Sequence, residues 1–163
     1  MAAFTVWVTG PEMSDVCAMA HQIEGRLRAR ALRTELIDQR TPGIEWLNGD
    51  GALAFLTSTL ARHDIVSIIA LPVGARSVRE RARLGIDRFA EVYVPCPEAP
   101  ACGYERPDRP DVEVVLPKDG SGTGAGRVVT ALEHLGFLDA DKNSASDVED
   151  RAMRKRLKDF GYL

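Results

Sequence analysis

The sequence predicts an α/β fold of three layers, α/β/α, built on a mainly parallel sheet of five strands. Short apolar runs alternate along the chain with segments of helical periodicity, as they do in β-α-β units. Three of these runs are nearly continuous stretches of β-branched or aromatic residues, which is typical of strands covered on both faces. With 163 residues, the chain is long enough to bury a sizeable core in one domain.

Each element of this fold has its own signal. The predicted strands are Phe4–Thr9, Thr34–Asp38, Ile65–Leu71, Glu91–Val94 and Asp111–Leu116. The first helix is predicted from near Ser14 to about Arg30, because apolar residues recur there on one helical face. The other predicted helices are Ala52–Arg62, Ser77–Leu84 and Arg127–Leu135. Gly136 is expected to cap the last helix, since glycine is common at the residue after a helix end.

Glycine-rich and polar segments divide the chain. Residues 118–126 predict a flexible connection rather than a phosphate cradle, since no Lys-Ser or Lys-Thr pair follows their glycines. Small polar residues at 139–147 predict a flexible linker, and the highly charged residues 148–163 predict a C-terminal helix. We therefore expect one domain over residues 1–138, followed by the linker and by a helix that docks on the domain or on a partner.

Composition and charge exclude several classes of protein. A net charge of −3 gives no general attraction to nucleic acid or to acidic membranes. No apolar run approaches the roughly 20 residues that span a bilayer, and no secretory leader pattern is visible, so the expected compartment is the cytoplasm. The three cysteines lack paired C-x-x-C spacing, so neither a disulfide framework nor a metal site is predicted.

The first strand and helix flank the place where a Walker A phosphate loop, G-x-x-x-x-G-K-[ST], would lie. The corresponding eight positions are Gly10-Pro-Glu-Met-Ser-Asp-Val-Cys17. Val16 stands at the lysine position and Cys17 at the Ser/Thr position, so the transferred phosphate and the magnesium ion each lose a ligand. Pro11 also removes a backbone N–H donor.

Two carboxylates make the same loop unfavourable for phosphate. Glu12 and Asp15 lie where the phosphates of ATP would bind, and like charges about 4 Å apart repel by about 1 kcal/mol or more. Acidic and hydroxyl side chains suit a helix N-terminus, and Ser14 or Asp15 is the expected cap. The sequence therefore predicts a vestigial loop, rebuilt for stability, that consists of Gly10, Ser14, Asp15, Val16 and Cys17.

Later motifs resemble those of the adenylylsulfate kinases, P-loop enzymes that phosphorylate adenosine 5′-phosphosulfate (APS) with ATP. Phe89–Pro97, F-A-E-V-Y-V-P-C-P, is very close to the family's F-x-E-V-Y-V-x-C-P run. Tyr104–Asp111 matches the Y-E-x-P-x-x-P-[DE] signature, and two further segments, Phe4–Gly10 and Leu60–Ala70, are similar to the opening strand and to a helix–strand pair. The resemblance covers about residues 4–138 and implies a P-loop NTPase-like fold.

The resemblance also implies a substrate site that has lost several ligands. Asp38 matches the first acid of the family's D-G-D-x-x-R motif, which serves the catalytic and metal region, whereas Arg40 replaces its second acid and Gly43 its arginine. Arg76 matches the arginine of I-S-P-Y-R with a one-residue offset, and Arg79 follows on the same predicted helix. Arg76 and Arg79 are candidate substrate or anion ligands. The alternative is that these two arginines, together with Arg83, form a solvated basic helix face.

The chain lacks both the family's lid and any other recognisable catalytic set. Only Glu98–Gly103 lies between the two motifs that flank the lid. Because lid closure excludes water from a kinase site, a nucleotide bound here would be poorly shielded. None of the three histidines has an acid and a nucleophile at a spacing typical of a triad, so structural or solvent-facing roles are expected for them.

Two functional hypotheses follow. In the first, the chain is a catalytically inactive adenylylsulfate kinase homologue, a pseudokinase that acts as a binding, regulatory or scaffolding module linked to sulfate assimilation. In the second, it is an active kinase-like phosphotransferase whose site is rebuilt around Asp38, Arg40 and Arg76. No cofactor is expected under the first hypothesis and Mg-ATP under the second. The resemblance further implies a homo-oligomer or an enzyme partner.

Overall fold

Five parallel strands form a single sheet. The computed structural model describes residues 3–44, 51–97, 103–115 and 123–139. The strands are β1 Thr5–Thr9, β2 Thr34–Asp38, β3 Val66–Ala70, β4 Phe89–Tyr93 and β5 Val112–Glu113. Their order across the sheet is β2-β3-β1-β4-β5, and all four pairings are parallel. The predicted parallel sheet is confirmed, and β2 has the predicted bounds.

Helices cover both faces of the sheet. They are α1 Met13–Ala29, α2 Ala52–Arg62, α3 Arg76–Gly85 and α4 Thr123–His134. One core lies beneath α1 and α4 and contains side chains such as Val8, Met19 and Leu132. A smaller core lies on the other face, where Trp7 and Ile69 pack with residues of α2 and α3. This arrangement confirms the three-layer α/β/α prediction.

Helix α4 begins earlier than predicted. Residues 123–126 were expected in the flexible connection, but they form its first turn. Gly124 serves close packing here, since a Cβ at this position would lie 2.7 Å from Val114 Cγ1 and 2.8 Å from Met19 Cε. The prediction of a flexible connection is therefore wrong for residues 123–126, and residues 118–122 lie outside the described ones.

Gly136 ends α4 as predicted. Its φ of +69° is left-handed, a conformation that glycine adopts without strain. Its N–H donates to the carbonyl of Glu133 at 3.0 Å, and the N–H of Phe137 donates to the carbonyl of Leu132 at 2.9 Å. These two bonds form a Schellman motif, which satisfies the last carbonyls of the helix.

Several predicted segments lie outside the described residues. They are residues 98–102 of the shortened lid, Leu116 at the end of the last predicted strand, most of the linker predicted at 139–147, and the helix predicted at 148–163. Within the described residues, no helix is long and apolar enough to cross a membrane.

Candidate functional site

The carboxyl ends of the strands bring the predicted site residues to one edge of the sheet, which is where open α/β folds bind ligands. Gly10 follows β1, Asp38 ends β2, and the loop after β3 leads to Arg76 at the start of α3. A segment from Gly103 to Asp111 joins this edge by way of Tyr104, whose hydroxyl lies 2.9 Å from Thr9 Oγ1.

The predicted phosphate loop is wound into helix α1. The helix starts at Met13, and the N–H of Val16 donates to the carbonyl of Glu12 at 3.1 Å. The side chain of Val16, at the Walker lysine position, is fully buried in the core beneath α1. A side chain at this position therefore points into the protein interior and does not face a phosphate group.

The cap of α1 differs from the predicted one. Glu12 occupies the N-cap with extended backbone angles, and its Oε1 accepts hydrogen bonds from Ser14 N at 3.3 Å and Ser14 Oγ at 3.0 Å. The prediction that Ser14 or Asp15 caps the helix is wrong, because both residues already lie in the first turn. A carboxylate of the chain thus holds the end of the helix dipole that would attract a phosphate.

Gly10 is required by close packing. A Cβ at this position would overlap the carbonyl oxygen of Val94 and would lie 3.1 Å from Val16 Cγ2. The glycine retained from the Walker pattern therefore has a structural reason that is independent of any nucleotide.

The Gly10→Ala substitution is expected to lower the free energy of unfolding by about 1–3 kcal/mol, the usual cost of overpacking. Gly25→Ala is the matched control, because a Cβ at Gly25 meets nothing within 4 Å inside α1. The control is expected to stabilise the protein by about 0.5–1 kcal/mol through helix propensity. Urea denaturation measures both changes, and equal effects of the two substitutions would contradict the close contact at Gly10.

Asp38 is held by Arg40 at the end of β2. Arg40 Nε and Nη2 donate to Asp38 Oδ2 at 3.0 and 2.7 Å, and the backbone N–H of Arg40 donates to Oδ1 at 2.8 Å. His21 Nε2, on α1, lies 2.7 Å from Arg40 Nη2. The acid that resembles the family's metal-region carboxylate is thus engaged by a cation of the chain.

Charge and burial set the protonation of this cluster. Burial raises the pKa of the Asp38 carboxyl, but the hydrogen bonds and charge of Arg40, together with His21, outweigh it and hold that pKa below its usual range. Burial and the Asp38 carboxylate raise the pKa of the Cys17 thiol against the opposing charge of Arg40. Asp38 is therefore ionised at neutral pH, whereas Cys17 is a thiol and a weak metal ligand.

The Asp38–Arg40 pair is expected to make stability depend on pH. Because the pKa of Asp38 is depressed in the folded state, its contribution is present above the ordinary pKa of 3.8 and is lost as the pH falls through the folded-state value. The melting temperature of the Arg40→Gln variant should fall below that of the wild type at pH 7, and the two should converge below pH 3.8.

Arg33→Gln is the control for this comparison, because the substitution removes the same charge at an exposed position. Arg33 donates to the backbone carbonyl of His63 and has no part in the Asp38–Arg40 pair. Its difference from the wild type should show no such convergence. A constant difference between Arg40→Gln and wild type down to pH 2 would refute the linkage.

Arg79 is buried and does not lie on a solvated face. Its Nε donates to Glu91 Oε1 at 3.0 Å, and its Nη1 donates to the carbonyls of Val73 and Gly74 at 2.9 and 3.1 Å. Its Nη2 donates to the carbonyl of Glu105. The solvated-face alternative is wrong for Arg79, because only 1% of the residue is exposed. Its role as an anion ligand stays a prediction. The contacts above already engage Nε, Nη1 and Nη2 of the guanidinium.

Arg76 is half-exposed and paired with acids. Its Nη1 forms an ion pair with Asp108, and its backbone N–H donates to Glu105 Oε2 at 2.8 Å. Arg83 lies further along α3, pairs with Asp111 at 2.7 Å, and approaches Glu91 at 3.4 Å. The role of Arg76 as an anion ligand also stays a prediction.

Three residues of this edge were not singled out from the sequence. His21 was assigned a structural or solvent-facing role, Glu91 was only one position within the Phe89–Pro97 motif, and Tyr104 only began the next motif. Tyr104 stacks on Tyr93 with ring centroids 6.2 Å apart, and burial raises the pKa of its hydroxyl. The signal for Tyr104 and Glu91 was their place within the two most specific motifs, whereas nothing along the chain links His21 to Arg40.

Metal ligands are sparse in the part of the chain that the structure describes. Residues 3–44, 51–97, 103–115 and 123–139 contain no group of three or more His, Cys, Asp or Glu side chains that could hold an ion. The expectation of no resident metal stays a prediction.

Comparison with known proteins finds similarity to adenylyl-sulfate kinases. No protein-family model matches the chain. The probable adenylyl-sulfate kinase of Pyrococcus abyssi is 25% identical over an alignment of 173 positions, gaps included. The alignment covers 85% of this chain and 99% of that protein. The Mycobacterium tuberculosis APS kinase has a TM-score of 0.65 and 23% identity, over 81% of this chain and 98% of that one.

A hexameric APS kinase from Thiobacillus denitrificans gives a TM-score of 0.68 and 20% identity, over 85% of this chain and 30% of that longer one. These structural likenesses support the fold, and the sequence similarity to the Pyrococcus abyssi protein agrees with them. The chain is similar in sequence to adenylyl-sulfate kinases, and it shares the α/β fold of the solved APS kinases.

Proposed function

We propose that the chain is a catalytically inactive adenylyl-sulfate kinase homologue that acts as a binding, regulatory or scaffolding module linked to sulfate assimilation. The observation that carries this proposal is the burial of Val16 inside a helix that starts at Met13. A kinase needs a lysine and a ring of backbone N–H donors at this place to hold the transferred phosphate. Here the same residues form a capped helical turn.

The metal side of the site supports the same proposal. Magnesium at a P-loop site is held by a hydroxyl and by an acid. In this chain the hydroxyl position is Cys17, a neutral thiol, and the acid Asp38 already bonds the guanidinium of Arg40. A magnesium ion would have to displace that guanidinium, so no cofactor is expected.

A second candidate function is an active phosphotransferase that binds Mg-ATP through a rebuilt site. The observation that favours it is the position of Arg40, a cation that lies beside Asp38 and acts electrostatically on Cys17. Under this hypothesis Arg40 substitutes for the missing lysine. Its guanidinium would have to leave Asp38 when the nucleotide binds.

Calorimetric titration of the protein with ATP, ADP and APS, each with and without magnesium, tests the proposal. We expect no heat of binding for Mg-ATP at micromolar concentrations. Micromolar affinity would overturn the proposal, and its loss in the Arg40→Gln variant would establish the second candidate. The Arg33→Gln variant, which removes an exposed arginine elsewhere, is the control for a general effect of charge.

Self-association or an enzyme partner is part of the proposal. A structural neighbour from Thiobacillus denitrificans is a hexameric APS kinase, and an inactive homologue can act by assembling with copies of itself or with an active relative. Light scattering of the purified chain, alone and mixed with an adenylyl-sulfate kinase of the same organism, measures this. A monomer in both samples would contradict it.

A further inference from the structure

Residues 103–111, here called the strap, lie across the carboxyl edge of the sheet between β4 and β5. Tyr104 anchors the strap through its hydroxyl, 2.9 Å from Thr9 Oγ1, and through its ring, which stacks on Tyr93. The guanidinium of Arg79 lies 5.1 Å from the centroid of the Tyr104 ring. One end of the strap is therefore fixed against the sheet by an aromatic stack, a hydrogen bond and a buried cation.

The strap brings two carboxylates to Arg76. Glu105 Oε2 accepts a hydrogen bond from the backbone N–H of Arg76 at 2.8 Å, and Asp108 pairs with its Nη1. The backbone N–H of Glu105 holds the strap in place by donating to the carbonyl of Gly74 at 2.9 Å. Two groups of Arg76 that could bind an anion, its amide and its guanidinium, are thus engaged by acids of the chain itself.

These carboxylate contacts are far more exposed than the anchor. The side chain of Arg76 is 41% exposed and that of Asp108 is 69% exposed. Ion pairs exposed to this degree are weak, because water screens them and two long side chains must be ordered. Asp108 can therefore leave Arg76 while the stack on Tyr104 and the buried contacts of Arg79 stay intact.

Covalent attachment gives the two acids an advantage over a ligand from solution. A group tethered within a chain competes at an effective concentration of about millimolar or more. A simple oxyanion of weak affinity therefore competes poorly for Arg76. A larger ligand that gains contacts elsewhere at this edge can displace the acids.

We propose that the strap is an autoinhibitory element, in which Glu105 and Asp108 act as internal anions that hold Arg76 and exclude a ligand bearing a sulfate or phosphate group until they are displaced. The proposal does not rest on the state of the β1–α1 loop. The test of the strap measures oxyanion binding at Arg76, whereas the test of the proposed function measures Mg-ATP binding. Either proposal can therefore fail while the other stands.

The test compares the wild type with the E105Q/D108N variant, in which both acids keep a hydrogen-bond acceptor and lose their charge. Each is titrated with inorganic sulfate and, separately, with inorganic phosphate, and the backbone amide resonance of position 76 reports binding. We expect the dissociation constant to fall by about fivefold for each negative charge removed. Two like charges about 4 Å apart in water repel by about 1 kcal/mol, which corresponds to about fivefold in an equilibrium constant. R76Q removes the guanidinium that Asp108 holds and keeps the backbone amide that Glu105 holds, so adding it should abolish the share of the gain that comes from D108N.

Two further variants secure the result. D108N alone changes an exposed side chain, so it tests the proposal even where the double variant is unstable, with an expected gain of about fivefold. E35Q/D87N changes the net charge equally at two exposed positions away from the strap, and its affinity should equal that of the wild type. Equal affinity in the wild type and in both strap variants would overturn the proposal. A D108N gain that survives R76Q, or a gain that appears in the control, would also overturn it.

Discussion

Replacing Arg79 with methionine is expected to lower the free energy of unfolding by about 3–5 kcal/mol, the cost of removing one partner of a buried ion pair. The substitution leaves the carboxylate of Glu91 buried without its main partner. Arg83 Nη2, at 3.4 Å, is then the cation that still pairs with it. It also removes the Nη1 donor from the carbonyls of Val73 and Gly74. Urea denaturation followed by circular dichroism measures the loss.

Two variants control for this result. Arg81→Met removes an exposed arginine from the same helix and should change stability by less than about 0.5 kcal/mol. Arg79→Met combined with Glu91→Leu should recover part of the loss, because no buried carboxylate is then left without its partner. A loss below about 1 kcal/mol for Arg79→Met would show that the buried pair matters little.

The size of this effect also separates two roles for Arg79. A guanidinium that served an anionic ligand would lower affinity when removed and leave the stability of the unliganded protein almost unchanged. The contacts of Arg79 with Glu91 and with three backbone carbonyls favour the structural role. Arg76, on the first turn of the same helix, is the residue whose removal should affect anion binding alone.

Much of the fold could be predicted because its signals are local. Buried apolar runs gave every strand, and β2 and α2 have the predicted bounds. Strand ends were less predictable, because they depend on the neighbouring strand: β4 starts at Phe89, two residues early, where it pairs with Thr5 of β1. The predicted N-cap of α1 was wrong because the side chains of Glu12, Ser14 and Asp15 are all chemically suitable. Only the backbone geometry selects Glu12.

The candidate site was less predictable than the fold because its contacts join distant parts of the chain. The sequence indicated that the lysine and the hydroxyl of the phosphate loop were absent. It did not indicate that Arg40 would reach both Asp38 and His21, or that Glu105 would bond the amide of Arg76. From the helical pattern of α3 alone, Arg79 resembled a surface arginine. Its burial depends on Glu91 and Tyr104, which belong to later segments of the chain.

Restoring the missing loop residues is expected to damage the protein and not to restore nucleotide binding. The double variant Val16→Lys, Cys17→Thr rebuilds the Lys-Thr pair of the Walker pattern. Val16 has no exposed surface, so the new ammonium group must be buried without a partner or lose its proton. We expect a loss of about 3–5 kcal/mol in the free energy of unfolding, measured by urea denaturation, and no binding of Mg-ATP in calorimetry.

The controls separate burial from charge. Ala18→Lys adds the same charge on an exposed position of α1 and should change stability by less than about 0.5 kcal/mol. Cys17→Thr alone should stay folded and still fail to bind Mg-ATP, because Met13, Ser14 and Asp15 remain in a helical turn and form no open loop. A double variant that folds and binds Mg-ATP at micromolar concentration would mean that the loop can still open. The inactive state would then rest on two side chains, and the winding of the loop into α1 would not be its cause.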